Sequence, residues 1–125
     1  MAKIVIGKAP KNFKRKVTID LLDGGKGDIE FTFKYRTRSE YAALMDTTLA
    51  AEAGADVPKD ETAVQAFERI GAGTVDFILA IAEGWDLDDE FNADNVKWLI
   101  DTFPAITPLA SEAYRLAILD GRTKN

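Results

Sequence analysis

Cysteine and histidine are both absent from this chain, and serine is scarce, confined to Ser39 and Ser111. Without Cys there is no disulfide framework and no thiol nucleophile, and a reducing compartment is compatible with the sequence. Without His the commonest zinc ligand and every His-based acid–base scheme are gone. Neither serine has an obvious activating partner beside it, so catalysis would have to rest on carboxylates, Lys or Tyr alone. The expectation is a protein that is not an enzyme, with no catalytic residue, no cofactor and no metal. Long apolar runs are missing too. The longest, Phe77-Ile78-Leu79-Ala80-Ile81-Ala82, falls far short of the ~20 residues a membrane span requires. Met1–Lys8 brings only Ile4-Val5-Ile6 together before charge returns, which is not the apolar core of a signal peptide. A soluble protein with no membrane partner is the simplest expectation.

What is present suits a packed globule. The 125 residues are 46% hydrophobic, enough for one domain spanning 1–125 that buries roughly two-thirds of its unfolded surface. Charge is uneven along it. Residues 1–40 carry 10 Lys/Arg against 5 Asp/Glu, and residues 41–125 carry 6 against 16. A net charge of −5 argues against nucleic acid as a partner, because phosphate neutralisation needs clustered cations. The basic stretch Lys8–Lys16 reads as a solvated arm rather than a nucleic-acid patch.

The patterning predicts an α+β fold, an N-terminal β-hairpin followed by a bundle of four to five helices. Residues 1–12 read as an extended basic arm, with room for one edge strand. Val17, Ile19 and Leu21 alternate with polar residues, and after Asp23-Gly24-Gly25-Lys26-Gly27 the alternation resumes at Ile29, Phe31, Phe33 and Tyr35. Two half-buried strands, about Phe13–Leu21 and Asp28–Tyr35, therefore form a hairpin within 13–36. The glycines lack P-loop spacing and lead into a strand, so they make a turn and not a phosphate cradle.

Helical periodicity occupies 37–121. Thr37-Arg38-Ser39-Glu40 has the form of a capping box, followed by Tyr41, Leu44, Met45 and Leu49 at helical spacing and a loop over Ala53–Lys59. A second helix opens at Asp60-Glu61, with Val64, Phe67, Gly71, Val75, Ile78 and Ala82 on one stripe. Gly71 and Gly73 either permit a close helix crossing or break the element at Thr74, and continuity is the favoured reading. Gly84 ends that helix, and Trp85–Phe91 reads as an acidic loop. Asn92 caps a helix carrying Val96, Leu99, Ile100 and Phe103, which Pro104 stops. Thr107-Pro108 opens the last helix, whose small-residue face is Ala110, Ala113, Tyr114 and Ala117, and Gly121 closes it.

Two places invite a search for a site. The oxygens at 86, 88, 90, 92 and 94 echo an EF-hand loop, but its sixth position must be Gly and is Phe91. Its twelfth must be a bidentate Glu and is Lys97. The segment is a solvated acidic loop. The tryptophans say more. Trp85 stands between a helix-ending Gly and a run of acids, and Trp98 lies about one position off its helix's apolar stripe. Such a Trp is most often half-buried between helices, and Trp is also a residue enriched at binding hot spots.

From Gly84-Trp85-Asp86-Leu87-Asp88-Asp89-Glu90-Phe91-Asn92 through Val96-Lys97-Trp98-Leu99-Ile100-Asp101-Thr102-Phe103-Pro104 the sequence resembles the tail assembly chaperones of long-tailed bacteriophages and of prophages. In that family a Gly-Trp precedes acids, then an Asn-led Leu-rich helix ends near Pro and an Ala/Tyr-containing helix follows, as Ile106–Ile118 does here. The similarity covers most of 28–124 and leaves the arm before Phe13 unmatched. It implies a non-enzymatic chaperone that binds the long helical tape measure protein and keeps it soluble during tail morphogenesis. It also implies tail-tube subunits as further candidate partners, leaves room for self-association, and places the protein in the cytoplasm of the infected or lysogenic host, absent from the mature virion. The partner-binding residues it suggests are Trp85, Asp86, Leu87, Asp88, Asp89, Trp98 and Phe103. The alternative is a structural tail-tube or head–tail joining protein of the virion, with the basic arm reaching a neighbour. An acidic nucleic-acid mimic is disfavoured by the apolar stripes that interrupt the acids.

Overall fold

The computed structural model describes residues 3–53 and 59–120. Two strands, β1 (Asn12–Asp20) and β2 (Lys26–Lys34), lead into helices α1 (Arg38–Ala53) and α2 (Ala63–Ile81). A short strand β3 (Ala82–Trp85) and two further helices, α3 (Ala93–Thr102) and α4 (Ile106–Leu119), complete the order. This is the expected α+β arrangement of an N-terminal hairpin followed by helices, four of them among the described residues. Its sheet is antiparallel throughout, in the order β1-β2-β3.

The hairpin forms where alternation predicts it, within two residues at each end. Phe13 faces Phe33, Arg15 faces Phe31 and Val17 faces Ile29 across β1 and β2. Val17, Ile19, Ile29, Phe31 and Phe33 are buried, so one face of the ribbon is core. The reversal is set by Gly24, whose φ of 91° suits a residue without Cβ. Its N–H donates to the Leu21 carbonyl at 3.0 Å, and the Asp23 carboxylate accepts from Gly25 N–H at 2.8 Å. Lys26 and Asp20 close the ribbon with an exposed ion pair.

Helix starts follow side-chain chemistry. Thr37 and Glu40 form the predicted capping box: Glu40 N–H donates to the Thr37 hydroxyl and Thr37 N–H to the Glu40 carboxylate. Those bonds hold the Glu40 carboxyl below its usual range. For α2 the expected opening at Asp60-Glu61 is corrected to Thr62, which makes a second reciprocal box with Gln65. Glu61 is instead engaged by Arg69 through two 2.9 Å hydrogen bonds, which lower its pKa. For α4 the expected start at Thr107-Pro108 is also corrected. The helix begins at Ile106, and Pro108 occupies the first turn, where a missing N–H costs no helical hydrogen bond. Residues 54–58 of the predicted Ala53–Lys59 loop, the side chain of Leu49 and the closing Gly121 fall outside the described residues.

The largest correction concerns Ala82–Trp85. Expected as a helix end and loop, it is the third strand, pairing Phe31 with Trp85, Thr32 with Gly84 and Phe33 with Ala82. Ala82 switches to extended geometry (φ −125°, ψ 153°) directly after Ile81, with no connecting loop. Glu83 is the extra residue of a bulge, and its carboxylate accepts a 2.7 Å hydrogen bond from Asn12 on the far strand. Four residues are too few to show an alternation, which is why the strand is silent in sequence.

Helix α2 runs unbroken through Gly71 and Gly73, as favoured, and Thr74 bonds back to the Ile70 carbonyl instead of capping a new helix. No close crossing accounts for the glycines: a Cβ at either would meet nothing within 4 Å. Replacing Gly71 or Gly73 by Ala should therefore raise the stability of the isolated protein by about 0.5–1 kcal/mol each. Urea unfolding measures this, and a destabilisation would reveal an unseen steric need.

Candidate partner-binding groove

The segment after β3 is tied down group by group. Asp86 N–H donates to the Glu30 carbonyl at 3.1 Å, and its carboxylate accepts from Glu30 N–H at 2.9 Å. A side chain thus extends the strand ladder one step beyond Trp85. The Trp85 indole N–H donates to the Asp89 carbonyl at 2.7 Å, and the Asn95 amide donates to the adjacent Glu90 carbonyl at 2.7 Å. Phe91 sets its ring edge-on to Trp85 at 4.9 Å. Asn92 then caps α3, accepting from Asn95 N–H. Two consecutive carbonyls are held, one from the sheet side and one from the helix side, so the acidic loop has a fixed path.

That path walls one side of a groove of about 280 Å³ lined by Trp85, Leu87, Asp89, Asn95, Trp98 and Leu99. Its floor rests on the core, since Leu99 is buried and Trp85 and Leu87 pack partly against the buried cluster. Its other wall is Trp98, 62% exposed on α3, with its ring edge-on to Phe103 at 6.3 Å. The volume sits at the low end for a small-molecule pocket. It suits one or two large apolar side chains of a partner, and Asp89 gives the groove an acidic border. Among the described residues no group of three acids is placed to hold a metal ion.

Of the residues singled out in sequence, Trp85, Leu87, Asp89 and Trp98 line this groove together. Asp86 does not, because its carboxylate is spent on Glu30. Asp88 is exposed outside the lining, and Phe103 supports Trp98 from beside it. For Trp98 the more common half-buried seat is corrected to an exposed one: α3 buries Val96, Leu99 and Ile100, and Trp98 is turned off that face. Sequence reasoning missed Asn95 as a groove residue. Its only signal was its position three residues after an Asn cap.

An α+β scaffold that presents two tryptophans and two leucines in a shallow groove has the make-up of a protein-binding module rather than of a small-molecule site. The family follows from comparison: the model of the phage tail assembly chaperone family matches residues 1–125, and the chain belongs to that family. The match takes in the N-terminal arm, which the sequence resemblance had left out. Membership implies phage tail proteins as partners and a role in assembly rather than in catalysis. No curated protein and no solved structure gives a significant match.

Proposed function

We propose that this protein binds a phage tape measure protein and keeps it soluble during tail morphogenesis, using the groove between β3 and α3. The observation that carries the reading is Trp98. A residue of its size left 62% exposed beside a groove floored by core residues is the kind of anchor that dominates protein interfaces. A long amphipathic helical client offers apolar side chains at helical spacing, which a groove of this size can take one or two at a time. The work would be done in the host cytoplasm, and the protein would not remain in the finished tail.

Co-expression tests this. The soluble yield of the tape measure protein encoded by the same phage is compared with and without this chain, and a marked rise is expected. A client equally soluble in both cases would sink the proposal. Stoichiometric presence of the chain in purified particles would point instead to a tail-tube or joining component.

A further inference from the structure

Two apolar features of the chain are left bare. On α2, Val64, Phe67 and Ile70 are 67%, 75% and 55% exposed. At 3.6 residues per turn they lie on the same helix face as Val75 and Ile78, which are core. The first half of α2 thus carries the core stripe past the edge of the globule, with none of the described residues covering it. The second feature is the arm before β1, where Ile4 and Ile6 are 90% and 96% exposed and Val5 is half exposed. Among the described residues, apart from a turn in which Lys8 N–H donates to the Val5 carbonyl, the arm's backbone is hydrogen-bonded only where it joins β1, by Tyr35 N–H to the Lys11 carbonyl.

Their charges are opposite. The arm carries Lys3, Lys8 and Lys11 and no acid. Glu68 on α2 and Asp60 just before it make no ion pair among the described residues, and neither do the arm's three lysines. Extended, Lys3–Lys11 reaches about 26 Å, whereas Val64–Ile70 is a stripe of about 9 Å. Gly71, on the stripe, leaves open space where a side chain would stand, so a backbone can approach closely there.

We propose that the arm of one copy docks on the exposed α2 stripe of a second copy. Ile4, Val5 and Ile6 cover Val64, Phe67 and Ile70, and the arm's lysines lie against Asp60 and Glu68. The chain then self-associates by exchanging arms, independently of any client and of the groove at Trp98.

The test uses sedimentation velocity on the full chain and two variants, one lacking residues 1–10 and one carrying Val64→Ser with Phe67→Ser. All substituted groups are solvent-exposed, and circular dichroism checks that each variant is folded. The full chain is expected to self-associate between about 1 and 100 µM, the range of moderate protein affinities, and each variant alone to stay monomeric. Mixed together, the two variants should form a 1:1 complex, because one supplies the arm and the other the intact stripe. Raising salt from about 0.05 to about 0.5 M should weaken that complex at least tenfold as the charges are screened. A full chain that stays monomeric would overturn the proposal. So would an arm-less variant that still associates, which would mean stripe-to-stripe packing, and so would a mixture with no complex.

Discussion

Truncating Tyr114 to Ala should cost about 3–5 kcal/mol of folding stability, the range for removing a large aromatic from a packed core. Tyr114 is fully buried on α4, and its ring stands 5.4 Å from Phe33, 5.9 Å from Phe13 and 5.9 Å from Tyr41. One side chain therefore joins both hairpin strands and α1 to the last helix. Its hydroxyl donates to the Lys34 carbonyl at 2.8 Å and accepts from the Arg36 guanidinium at 3.1 Å. Burial pushes its pKa above the ordinary tyrosine value, so the donor proton stays in place at neutral pH. A domain of this size is stable by only about 5–15 kcal/mol, so the Ala variant retains little margin. Tyr114→Phe keeps the packing and strands both polar partners, for an expected loss of about 1–3 kcal/mol. Urea unfolding of both variants is the measurement. A loss below about 1 kcal/mol for Tyr114→Ala would show that the aromatic cluster is not what joins sheet to helices.

Trp98→Ala should separate binding from folding. Because most of the ring is in water, its removal should change stability by less than about 1 kcal/mol, as surface substitutions do. If the groove is the client site, the same change should weaken tape measure binding by about 2 kcal/mol or more. Trp85→Ala is the contrast. Trp85 packs against Phe31 and Phe91 and holds the Asp89 carbonyl, so its loss should lower stability and binding together. Urea unfolding of each variant reads the stability, and calorimetric titration of the folded variant with a client fragment reads the binding. Unchanged affinity in Trp98→Ala, with the fold intact, would remove the groove from the proposed function.

The sequence was most legible where a period repeats. Alternation over Val17–Leu21 and Ile29–Tyr35 placed the hairpin, and Val96, Leu99 and Ile100 placed the buried face of α3. It was least legible where one or two residues decide. β3 depends on Ala82 changing conformation at the last turn of a helix, which no pattern of four residues announces. The α2 stripe reads as one continuous apolar face from Val64 to Ala82, yet among the described residues only its second half is buried. Periodicity reports which face is apolar and not how far the rest of the protein extends along it. The groove was half visible. Its tryptophans stood out by type, while Asp86, which the resemblance suggests as a partner contact, is a clasp on Glu30, and Asn95 was hidden by being an ordinary polar residue on a helix.

The hydroxyl bond from Tyr114 to Lys34 spans 80 residues, and β3 reaches β2 across a shorter but still long stretch, Phe31 to Trp85. On the ribosome, β2 therefore emerges long before either of the elements that cover it. At about 5–20 residues per second, the hairpin waits roughly 4–16 s for α4 to be synthesised. During that interval the β2 edge and the faces of Phe31 and Phe33 are open to any neighbouring chain. The order of synthesis thus gives this protein a transient hazard that its completed fold does not share.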